Sequence, residues 1–540
     1  MHKQEAIIRV SLIRPLYQPA SFDPEISESL GLCSIAAIIR SLGHKVQMLD
    51  LMFLGMSEKE IIQNVIQFNP DIIGFSVMSF DDVPSFSSLR QQLRLFLKNS
   101  PLFIVGGIFV RETTRKNLLD AKKDTLLIQG EGEKAISDLL WKISKEQDSI
   151  SIINDIHVSS PLISSKIVTD LDSLPFPARD ITPNIINAKQ SVPIQGSRGC
   201  TGHCTYCNRV DRNAWRGRSP EHIVEEMSIL IQHYHARSFQ FVDDDLIGPA
   251  KNGKNRIEQL ADLLMKQNWK IGFSVQLRPW SLDEKTIAKL AESGCCYAFV
   301  GLEHYEKKFF REFKREFPKQ NTLDFIHLLR NYGIKVQVGA IPFYHATTLE
   351  SLVSFYELLA QNHLFNIRTA TNRLLQYSSI APELNTKHTT VQAVQPKFQP
   401  FDDKGMEIVF QTIVAILDPI KPVWLRASTL LPHLLTWYHS SRNNPDIEAK
   451  NQLDMLRKVL SDIDHAVYIT VLNYLNIFKS KNNTIDIGNV VSQGCCNLKE
   501  KAYEMIDRLS DNSIEPHPDV LYEVMADTEE IFANEPICKH

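Results

Sequence analysis

The chain has 540 residues, of which 59 are lysine or arginine and 63 are aspartate or glutamate, giving a formal net charge of −4. This balance leaves no basic footprint for nucleic acid or for an anionic membrane surface, so we expect neither as a partner. The length predicts two to four domains, and the apolar runs are too short for a signal peptide or a membrane span, which favours the cytoplasm.

Residues 1–150 alternate short apolar strands with helices, which predicts a doubly wound, Rossmann-like α/β domain with a parallel sheet. Such sheets bind ligands at the carboxyl ends of their strands. Small residues that would let a ligand approach the backbone follow several of these strands: Ser76, Gly106, Gly107, Gly130 and Gly132. Any one glycine is equally well explained as a tight turn, but several together favour a ligand. The fingerprint GxGxxG is missing after the first strand, so a nicotinamide cofactor loses support.

Residues 151–190 are predicted to be a linker, because Pro175 and Pro177 favour an extended chain. From 191 to about 390 we predict six strand–helix units, with the last strand within residues 365–374, and this number suits an open, partial α/β barrel. In such barrels the chemistry lies at the carboxyl ends of the strands. Polar groups stand there after four successive strands: a cysteine-rich loop, Asp243 to Asp245, Arg278 and Glu303.

The loop after the first barrel strand, GSRGCTGHCTYCNR, holds Cys200, Cys204 and Cys207 in the spacing CxxxCxxC. The chain has nine cysteines, and an odd number with one tight cluster favours metal chemistry in a reducing compartment over disulfides. Structural zinc sites and ordinary cubane clusters take four protein ligands, whereas three cysteines leave one iron of a cluster open. His203 would supply a fourth zinc ligand, but the usual distant second pair is missing, so an open iron–sulfur cluster is favoured.

Residues 391–540 are dominated by helical periodicity and predict a helical C-terminal domain. Trp424, Trp437 and Tyr438 lie on apolar helical segments, where they either close a cavity or pack in the core, and the sequence does not separate these two. Cys495 and Cys496 are assigned to packing.

The chain resembles the radical S-adenosylmethionine (SAM) superfamily, and within it the cobalamin-binding subgroup with its class B methyltransferases, in the order of its motifs: GHKV, PDIIGFS, IVGGI, GEGE, LPFPARD and GSRGCTGHCTYC. The resemblance covers about the first 380 residues. It implies a [4Fe–4S] cluster bound by Cys200, Cys204 and Cys207, with SAM chelating the fourth iron. It also implies an external electron donor of the flavodoxin or ferredoxin type, whose electron cleaves SAM to a 5′-deoxyadenosyl radical.

The resemblance implies roles for residues at the other strand ends. Asp243 and Asp244 match the position that contacts the methionine amino group, with an acidic capping turn as the alternative. Arg278 matches an arginine whose forked donors hold the methionine carboxylate. Glu303 stands where the family often has GxES and would accept from the ribose hydroxyls, although a histidine replaces the serine. Ile341 would pack against the adenine, and an ordinary barrel core would look the same.

Cobalamin is the second cofactor that the resemblance implies, and the small residues at the strand ends of the first domain would face it. The signature DxHxxG, whose histidine is the lower cobalt ligand, is absent, and no histidine follows the first strand. This loss is common in the subgroup, so we still expect cobalamin, with a domain that has lost its cofactor as the alternative.

The function implied is that of a cobalamin-dependent radical SAM enzyme that methylates an unactivated carbon of a small-molecule, natural-product or peptide substrate. One SAM would methylate cobalamin, and a second would generate the radical. A cyclase, ring-contracting or oxidising enzyme without methyl transfer is the second hypothesis. A non-catalytic zinc or iron–sulfur protein is the third, and it would leave the polar groups at the strand ends idle.

Overall fold

The computed structural model describes residues 7–15, 28–50, 56–145 except 113 and 123, 161–207 except 189, 214–315 except 280–281, 322–373, 400–418, parts of 421–439, and 447–479. These ranges contain two parallel sheets with helices packed against them and a helical region after the second sheet. No helix within them is long and apolar enough to cross a membrane.

The first sheet has six parallel strands in the order β2-β1-β3-β4-β5-β6. Its strands are β1 (Arg9–Arg14), β2 (Lys45–Asp50), β3 (Ile72–Ser76), β4 (Leu102–Gly106), β5 (Thr125–Gln129) and β6 (Leu162–Ser164). Its helices are α1 (Leu30–Ser41), α2 (Glu58–Phe68), α3 (Asp82–Phe96), α4 (Arg115–Leu118) and α5 (Gly132–Lys145). The predicted doubly wound α/β domain is confirmed, and β1 and β3 form the switch point at whose carboxyl ends such sheets bind ligands.

One strand of this sheet, β6, comes from the segment predicted to be a linker. Leu162 to Ser164 pair with β5 in parallel and so extend the sheet past residue 150. A strand of three residues is too short to show a period of two in the sequence, which is why the pattern did not reveal it.

The side chains of the central strands alternate between two cores. Leu12 and Ile104 belong to a core that continues into the second sheet, whereas Ile13 and Val105 belong to a separate core on the other face. Successive strand residues point to opposite faces, so helices must cover both faces of this sheet. The continuous core fixes the first domain against the second.

The second sheet has five parallel strands in the order β13-β12-β11-β10-β7, which confirms the open, partial barrel. Its strands are β7 (Val192–Ile194), β10 (Ser238–Phe241), β11 (Gly272–Leu277), β12 (Cys295–Glu303) and β13 (Lys335–Ala340), and a small hairpin joins β8 (Ser197–Arg198) to β9 (Arg216–Gly217). Its helices are α6 (Thr182–Asn187), α7 (Pro220–Tyr234), α8 (Ala250–Lys266), α9 (Glu284–Glu292), α10 (Lys307–Glu312), α11 (Thr322–Asn331), α12 (Leu349–Gln361) and α13 (Ile367–Thr371).

The sixth barrel strand expected within residues 365–374 is not formed there, and this prediction was wrong. Ile367–Thr371 is a helix, because the side chain of Asn366 accepts from the backbone N–H of Thr369 at 3.0 Å and caps its start. Arg373 then makes a single parallel bridge to Phe343.

The helical region after the barrel includes α14 (Gly405–Leu417) and α15 (Ile447–Lys479). Phe410 of α14 packs on Phe343, which follows the carboxyl end of β13, whereas Thr436 lies at the amino-terminal end of the barrel strands. Thr436 Oγ1 lies 3.0 Å from the hydroxyl of Ser191, which precedes β7, and the Thr436 carbonyl lies 2.1 Å from where a Cβ on Gly272 would stand. These contacts close the end of the barrel opposite to the cysteine loop.

Trp424 is a core residue of this region. Its side chain is 3% exposed, and its indole N–H donates to Asp464 Oδ1 at 2.8 Å. Burial raises the pKa of Asp464 to about 8. Of the two alternatives for Trp424, the core is therefore correct, while Trp437, Tyr438, Cys495 and Cys496 lie outside the described residues.

Candidate active site

Cys200, Cys204 and Cys207 lie half-buried on the loop that leaves β8, at the carboxyl end of β7. A Cβ on Gly202 would lie 3.4 Å from Cys200 Sγ and 3.8 Å from Cys204 Sγ, so these two sulfurs face one point across the loop. In the part of the chain described, the three thiols do not lie close enough together to form a metal-binding group. Three cysteine thiols on one partly exposed loop are nevertheless the donors that an iron–sulfur cluster takes, and in this respect the residues fit such a cluster.

Asp243 and Asp245 hold the base of the cysteine loop. The Asp243 carboxylate accepts from the Gly196 N–H at 3.0 Å and from the Ser197 hydroxyl at 2.5 Å, and burial raises its pKa to about 6. The Asp245 carboxylate accepts from the Thr201 hydroxyl at 2.9 Å and therefore touches the loop itself. Sequence reasoning placed Asp245 among the polar groups at the strand ends but gave it no contact, although the spacing of two from Asp243 indicates the same side of an extended segment.

Asp244, by contrast, lines a cavity that lies between the two sheets. The structure therefore separates Asp243 from Asp244, which the sequence had grouped as one contact to the methionine amino group. The contact with the methionine amino group stays a prediction for both residues. Asp244 is the more accessible of the two, because its side chain is exposed whereas Asp243 is 1% exposed.

Arg278 lies beside the cysteine loop after β11. Its guanidinium donates to the Thr201 hydroxyl and stands 3.7 Å from the Asp245 carboxylate. The predicted contact of Arg278 with the methionine carboxylate is untested, but the residue stands next to the loop that carries the cysteines, as that role requires.

Glu303 ends β12 with a left-handed backbone, φ +66°, and forms an ion pair with Arg315 at 3.4 Å. Burial raises the pKa of Glu303. Arg315 in turn stands 3.7 Å from Cys204 Sγ and 3.3 Å from the Tyr206 hydroxyl, and it donates to the Gly301 carbonyl at 2.8 Å. The structure thus links the predicted ribose ligand Glu303 to the cysteine loop through Arg315, which sequence reasoning missed because no motif marks it.

Ile341 and His304 flank Glu303 on the aromatic side of the site. Ile341 donates its N–H to the Glu303 carbonyl at 2.6 Å and packs against the aromatic cluster that contains Phe309 and Tyr344. His304 is 3% exposed and stacks on Phe309 at 5.0 Å, and burial lowers its pKa to about 3. The histidine that replaces the family's serine is therefore a neutral core residue.

A cavity of about 540 Å³ lies between the carboxyl ends of the two sheets. All five small residues that the sequence predicted at strand ends line it: Ser76, Gly106, Gly107, Gly130 and Gly132. The opposite wall includes Ser197, Arg198 and Gly199, which lead directly into Cys200. The predicted ligand site of the first domain and the predicted metal loop of the second therefore share one cavity.

Ion pairs across the cavity rim tie the two domains together. Glu133 accepts from Arg198 at 2.7 Å, and Glu131 lies 2.7 Å from Arg216 and 3.5 Å from Arg198. The two glutamates belong to the GEGE segment, whose glycines alone had been assigned a role. No local signal in the sequence connects these pairs, because their partners are more than 60 residues apart in the chain.

The resemblance implies that the first wall of this cavity binds cobalamin, so a Gly107→Ala variant is expected to bind cobalamin about 10-fold more weakly or worse. Gly107 has φ +110°, and an added Cβ would lie 2.3 Å from the Val77 carbonyl oxygen, so the cavity wall must shift. Such backbone strain costs on the order of 1–3 kcal/mol. Absorbance titration of the purified protein with hydroxocobalamin measures the change.

The matched control for this variant is Gly43→Ala in the same domain. Gly43 also has a left-handed backbone, φ +81°, but nothing lies within 4 Å of its added Cβ, and it is outside the cavity lining. It should lose some stability and keep its cobalamin affinity. Equal affinities of the two variants would contradict the assignment of Gly107 to the cobalamin site.

Comparison with known proteins finds both predicted domains. The B12 binding domain model matches residues 24–140, and the Radical SAM superfamily model matches residues 194–359. An uncharacterized methyltransferase of Pyrococcus horikoshii is 22% identical over 396 residues, which are 68% of this chain and 84% of that protein. The anaerobic magnesium-protoporphyrin IX monomethyl ester cyclase of Synechocystis is 23% identical over 319 residues, which are 56% of this chain and 62% of the cyclase.

A solved structure is similar over nearly the whole chain. The cobalamin-dependent S-adenosylmethionine radical enzyme OxsB, with aqua-cobalamin and S-adenosylmethionine bound, has a TM-score of 0.68 and 16% identity. The match covers 98% of this chain and 84% of the other. At this identity the likeness shows the fold alone.

Proposed function

This chain is a radical SAM enzyme with a cobalamin-binding domain, and we propose that it transfers a methyl group to an unactivated carbon of a small-molecule or peptide substrate. The two family models confirm the resemblance that the motifs carried. They also confirm a [4Fe–4S] cluster, S-adenosylmethionine and cobalamin as the cofactors. When bound, these groups supply a substrate-activating radical and a methyl group for transfer.

The observation that carries the proposal is the single cavity between the two sheets. Its first wall holds the glycine-rich strand ends of the cobalamin-binding domain, and its second wall holds Ser197 to Gly199, which precede the first cysteine. Radical generation and methyl donation must act on the same substrate carbon, so they need binding sites that open into the same space.

The residues around the cavity position its two walls and limit their movement. Arg198 reaches from the cysteine side to Glu133 on the cobalamin side, and Asp243 fixes the backbone of Gly196 and the hydroxyl of Ser197. Buried charged and hydrogen-bonded contacts of this kind hold a site to a narrow range of positions. We infer that they keep the substrate within reach of both cofactors.

Two further residues act on the cysteine side of the cavity. Arg315 donates toward Cys204 Sγ at 3.7 Å, and a cationic donor stabilises negative charge on a thiolate. Arg278 donates to the Thr201 hydroxyl within the loop, and its forked guanidinium is of the kind that binds a carboxylate such as that of SAM.

A radical cyclase or oxidising enzyme without methyl transfer is the second candidate. It is favoured by the similarity of this chain to the Synechocystis cyclase, which covers 56% of this chain. Such an enzyme would use the cluster loop in the same way but would consume no methyl group.

The test uses anaerobic protein reconstituted with iron, sulfide and hydroxocobalamin, a low-potential reductant, and SAM deuterated in its methyl group. Methyl transfer predicts S-adenosylhomocysteine among the products and a deuterated methyl group on the extracted corrin, measured by mass spectrometry, before any substrate is known. With an accepted substrate, the product gains the same label. An enzyme that retains corrin and forms 5′-deoxyadenosine, yet gives no S-adenosylhomocysteine and no labelled corrin, would contradict methyl transfer and favour the second candidate.

A further inference from the structure

His345 lies half-buried on the loop that connects β13 to α12, at the carboxyl end of the barrel. Its two ring nitrogens face carboxylates from two different parts of the chain. Nε2 is paired with Glu312 of α10, and Nδ1 lies 3.0 Å from Asp402 Oδ2. The Asp402 N–H also donates to the His345 carbonyl at 2.8 Å. The helix α10, the loop after β13 and the segment before α14 therefore meet at one imidazole.

Two carboxylates on one imidazole require the protonated ring. An ionised carboxylate only accepts hydrogen bonds, so each ring nitrogen has to donate, and only the imidazolium has two N–H groups. A neutral ring donates to one carboxylate and turns a lone pair toward the other. We call the arrangement of Glu312, His345 and Asp402 the imidazolium bridge.

The surroundings of His345 favour its charged form. The hydrogen bond to Glu312 raises the pKa of His345, and the one to Asp402 adds to this effect, although partial burial opposes both. The neighbouring Tyr344 ring lies 5.5 Å away, and its hydroxyl donates to Glu306 at 3.1 Å. Carboxylates thus approach this loop from the α10 side and from the segment before α14.

On one side the imidazolium bridge ends at the helix that supports the cysteine loop. The ring of Tyr206 lies 5.9 Å from the rings of both Phe309 and Phe313. The Thr205 N–H donates to the Phe313 carbonyl at 2.9 Å, and Phe313 directly follows Glu312 in the chain. A contact that fixes Glu312 therefore acts one residue away from a hydrogen bond to the cysteine loop.

On the other side the imidazolium bridge ends at the segment that leads into α14. Beside Asp402, the ring of Phe401 lies 4.0 Å from the guanidinium carbon of Arg373, and Arg373 pairs with Glu407 of α14 at 2.7 Å. None of these neighbouring contacts involves a histidine. His345 is thus the member of this set whose ordinary titration range lies near neutral pH.

We propose that His345 is a pH-dependent positioning residue, which as an imidazolium fastens α10 to the segment before α14 and so holds the support of the cysteine loop in place. The bridge is complete when the ring is protonated, and it loses one of its two hydrogen bonds when the ring becomes neutral. The pKa of His345 is raised above its ordinary value of 6.5. The stabilisation is therefore fully present below that value and is lost as the pH rises through the raised one.

The inference concerns the barrel and its helical region, and it is independent of methyl transfer and of the substrate. Hydrogen–deuterium exchange of the full-length reconstituted protein, followed by mass spectrometry, tests it from about pH 6 to about pH 8.5. Each exchange rate is divided by the intrinsic chemical rate at the same pH. The peptides of interest cover residues 305–315 and 400–417, which contain the two ends of the bridge.

Three variants accompany the native protein. His345→Gln keeps a donor of hydrogen bonds but never carries the charge, and Glu312→Gln/Asp402→Asn keeps the histidine but removes both carboxylates. The control His327→Gln removes an exposed histidine of α11 whose Nε2 lies 3.2 Å from Asn362 Oδ1, a neutral partner.

In the native protein, protection of both peptides should fall about 5-fold as the pH rises over this range, because the bridge loses its charge. His345→Gln and Glu312→Gln/Asp402→Asn should show low protection with no such pH dependence, while His327→Gln should follow the native profile. A purely structural contact would lower protection in these variants without making the native protein pH-dependent. Native protection that does not change with pH, or a native-like profile in His345→Gln, would overturn the proposal. The native profile decides the question even if a variant does not fold.

Discussion

A Cys204→Ala variant is expected to lose the iron–sulfur cluster, with iron falling from roughly four atoms per chain to near zero after anaerobic reconstitution. The three cysteines share one loop, and a cluster that already has only three protein ligands has none to spare. Analysis of iron and acid-labile sulfide measures the loss. The visible absorbance of the sulfur-to-iron charge-transfer bands provides a second measurement.

Two matched variants make this result specific. Cys296→Ala removes a buried thiol in β12 whose Sγ lies 3.7 Å from the Phe273 carbonyl, so it should keep its iron at a modest cost in stability. His203→Ala removes the exposed histidine that a zinc site in this loop would require, and it should also keep its iron. If Cys204→Ala retains its iron, the cluster assignment is contradicted. It is also contradicted if the native protein binds zinc instead of iron and His203→Ala loses that zinc.

The sequence predicted those features that local patterns encode. Strands and helices of both sheets follow from apolar runs bounded by turns, and the cysteine spacing lies within eight residues, so both could be predicted without the structure. The five small residues at strand ends line one cavity because the carboxyl ends of parallel strands meet at one edge of the sheet, and their role in binding stays a prediction.

Contacts between distant segments could not be predicted in the same way. Arg315 reaches Cys204 from 111 residues away, at the end of a short helix, and nothing in its neighbourhood marks it as part of the site. Glu131 and Glu133 lie in a segment whose sequence predicts a glycine turn, yet their carboxylates form ion pairs with arginines of the other domain. The sequence of the helical region did not indicate which end of the barrel Thr436 contacts, because Thr436 and its partner Ser191 are 245 residues apart in the chain. Charge pairing over such separations is set by the assembled fold.

Replacing Arg179 with methionine is expected to destabilise the protein by about 3–5 kcal/mol. Arg179 belongs to the segment LPFPARD, predicted only as a linker, but its guanidinium lies between Glu28 of the first domain at 2.7 Å and Glu226 of α7 at 2.6 Å. The three side chains are 6%, 0% and 3% exposed, respectively. Without Arg179, two buried carboxylates lose their shared cation, so urea unfolding at neutral pH should show a lower midpoint and an earlier separation of the domains.

The pH dependence of this loss identifies its cause. In the native protein Arg179 and Arg218 oppose the burial of Glu226 and lower its pKa, so the stability that Glu226 contributes is lost only as the pH falls through that lowered value. Burial already raises the pKa of Glu28 in the native protein, and Arg179 is the cation that opposes this rise, so the pKa of Glu28 rises further in Arg179→Met while Glu226 keeps Arg218. The stability that depends on Glu28 is therefore lost in the variant as the pH rises through the raised value. The difference between variant and native protein should therefore shrink as the pH is lowered from about 7.5 toward 5. The control Arg40→Met removes an exposed ion pair with Asp180, the residue that follows Arg179. It should lower the free energy of unfolding by less than about 1 kcal/mol at any pH. A pH-independent loss in Arg179→Met, or a loss no larger than that of Arg40→Met, would mean that the buried charges do not hold the two domains together.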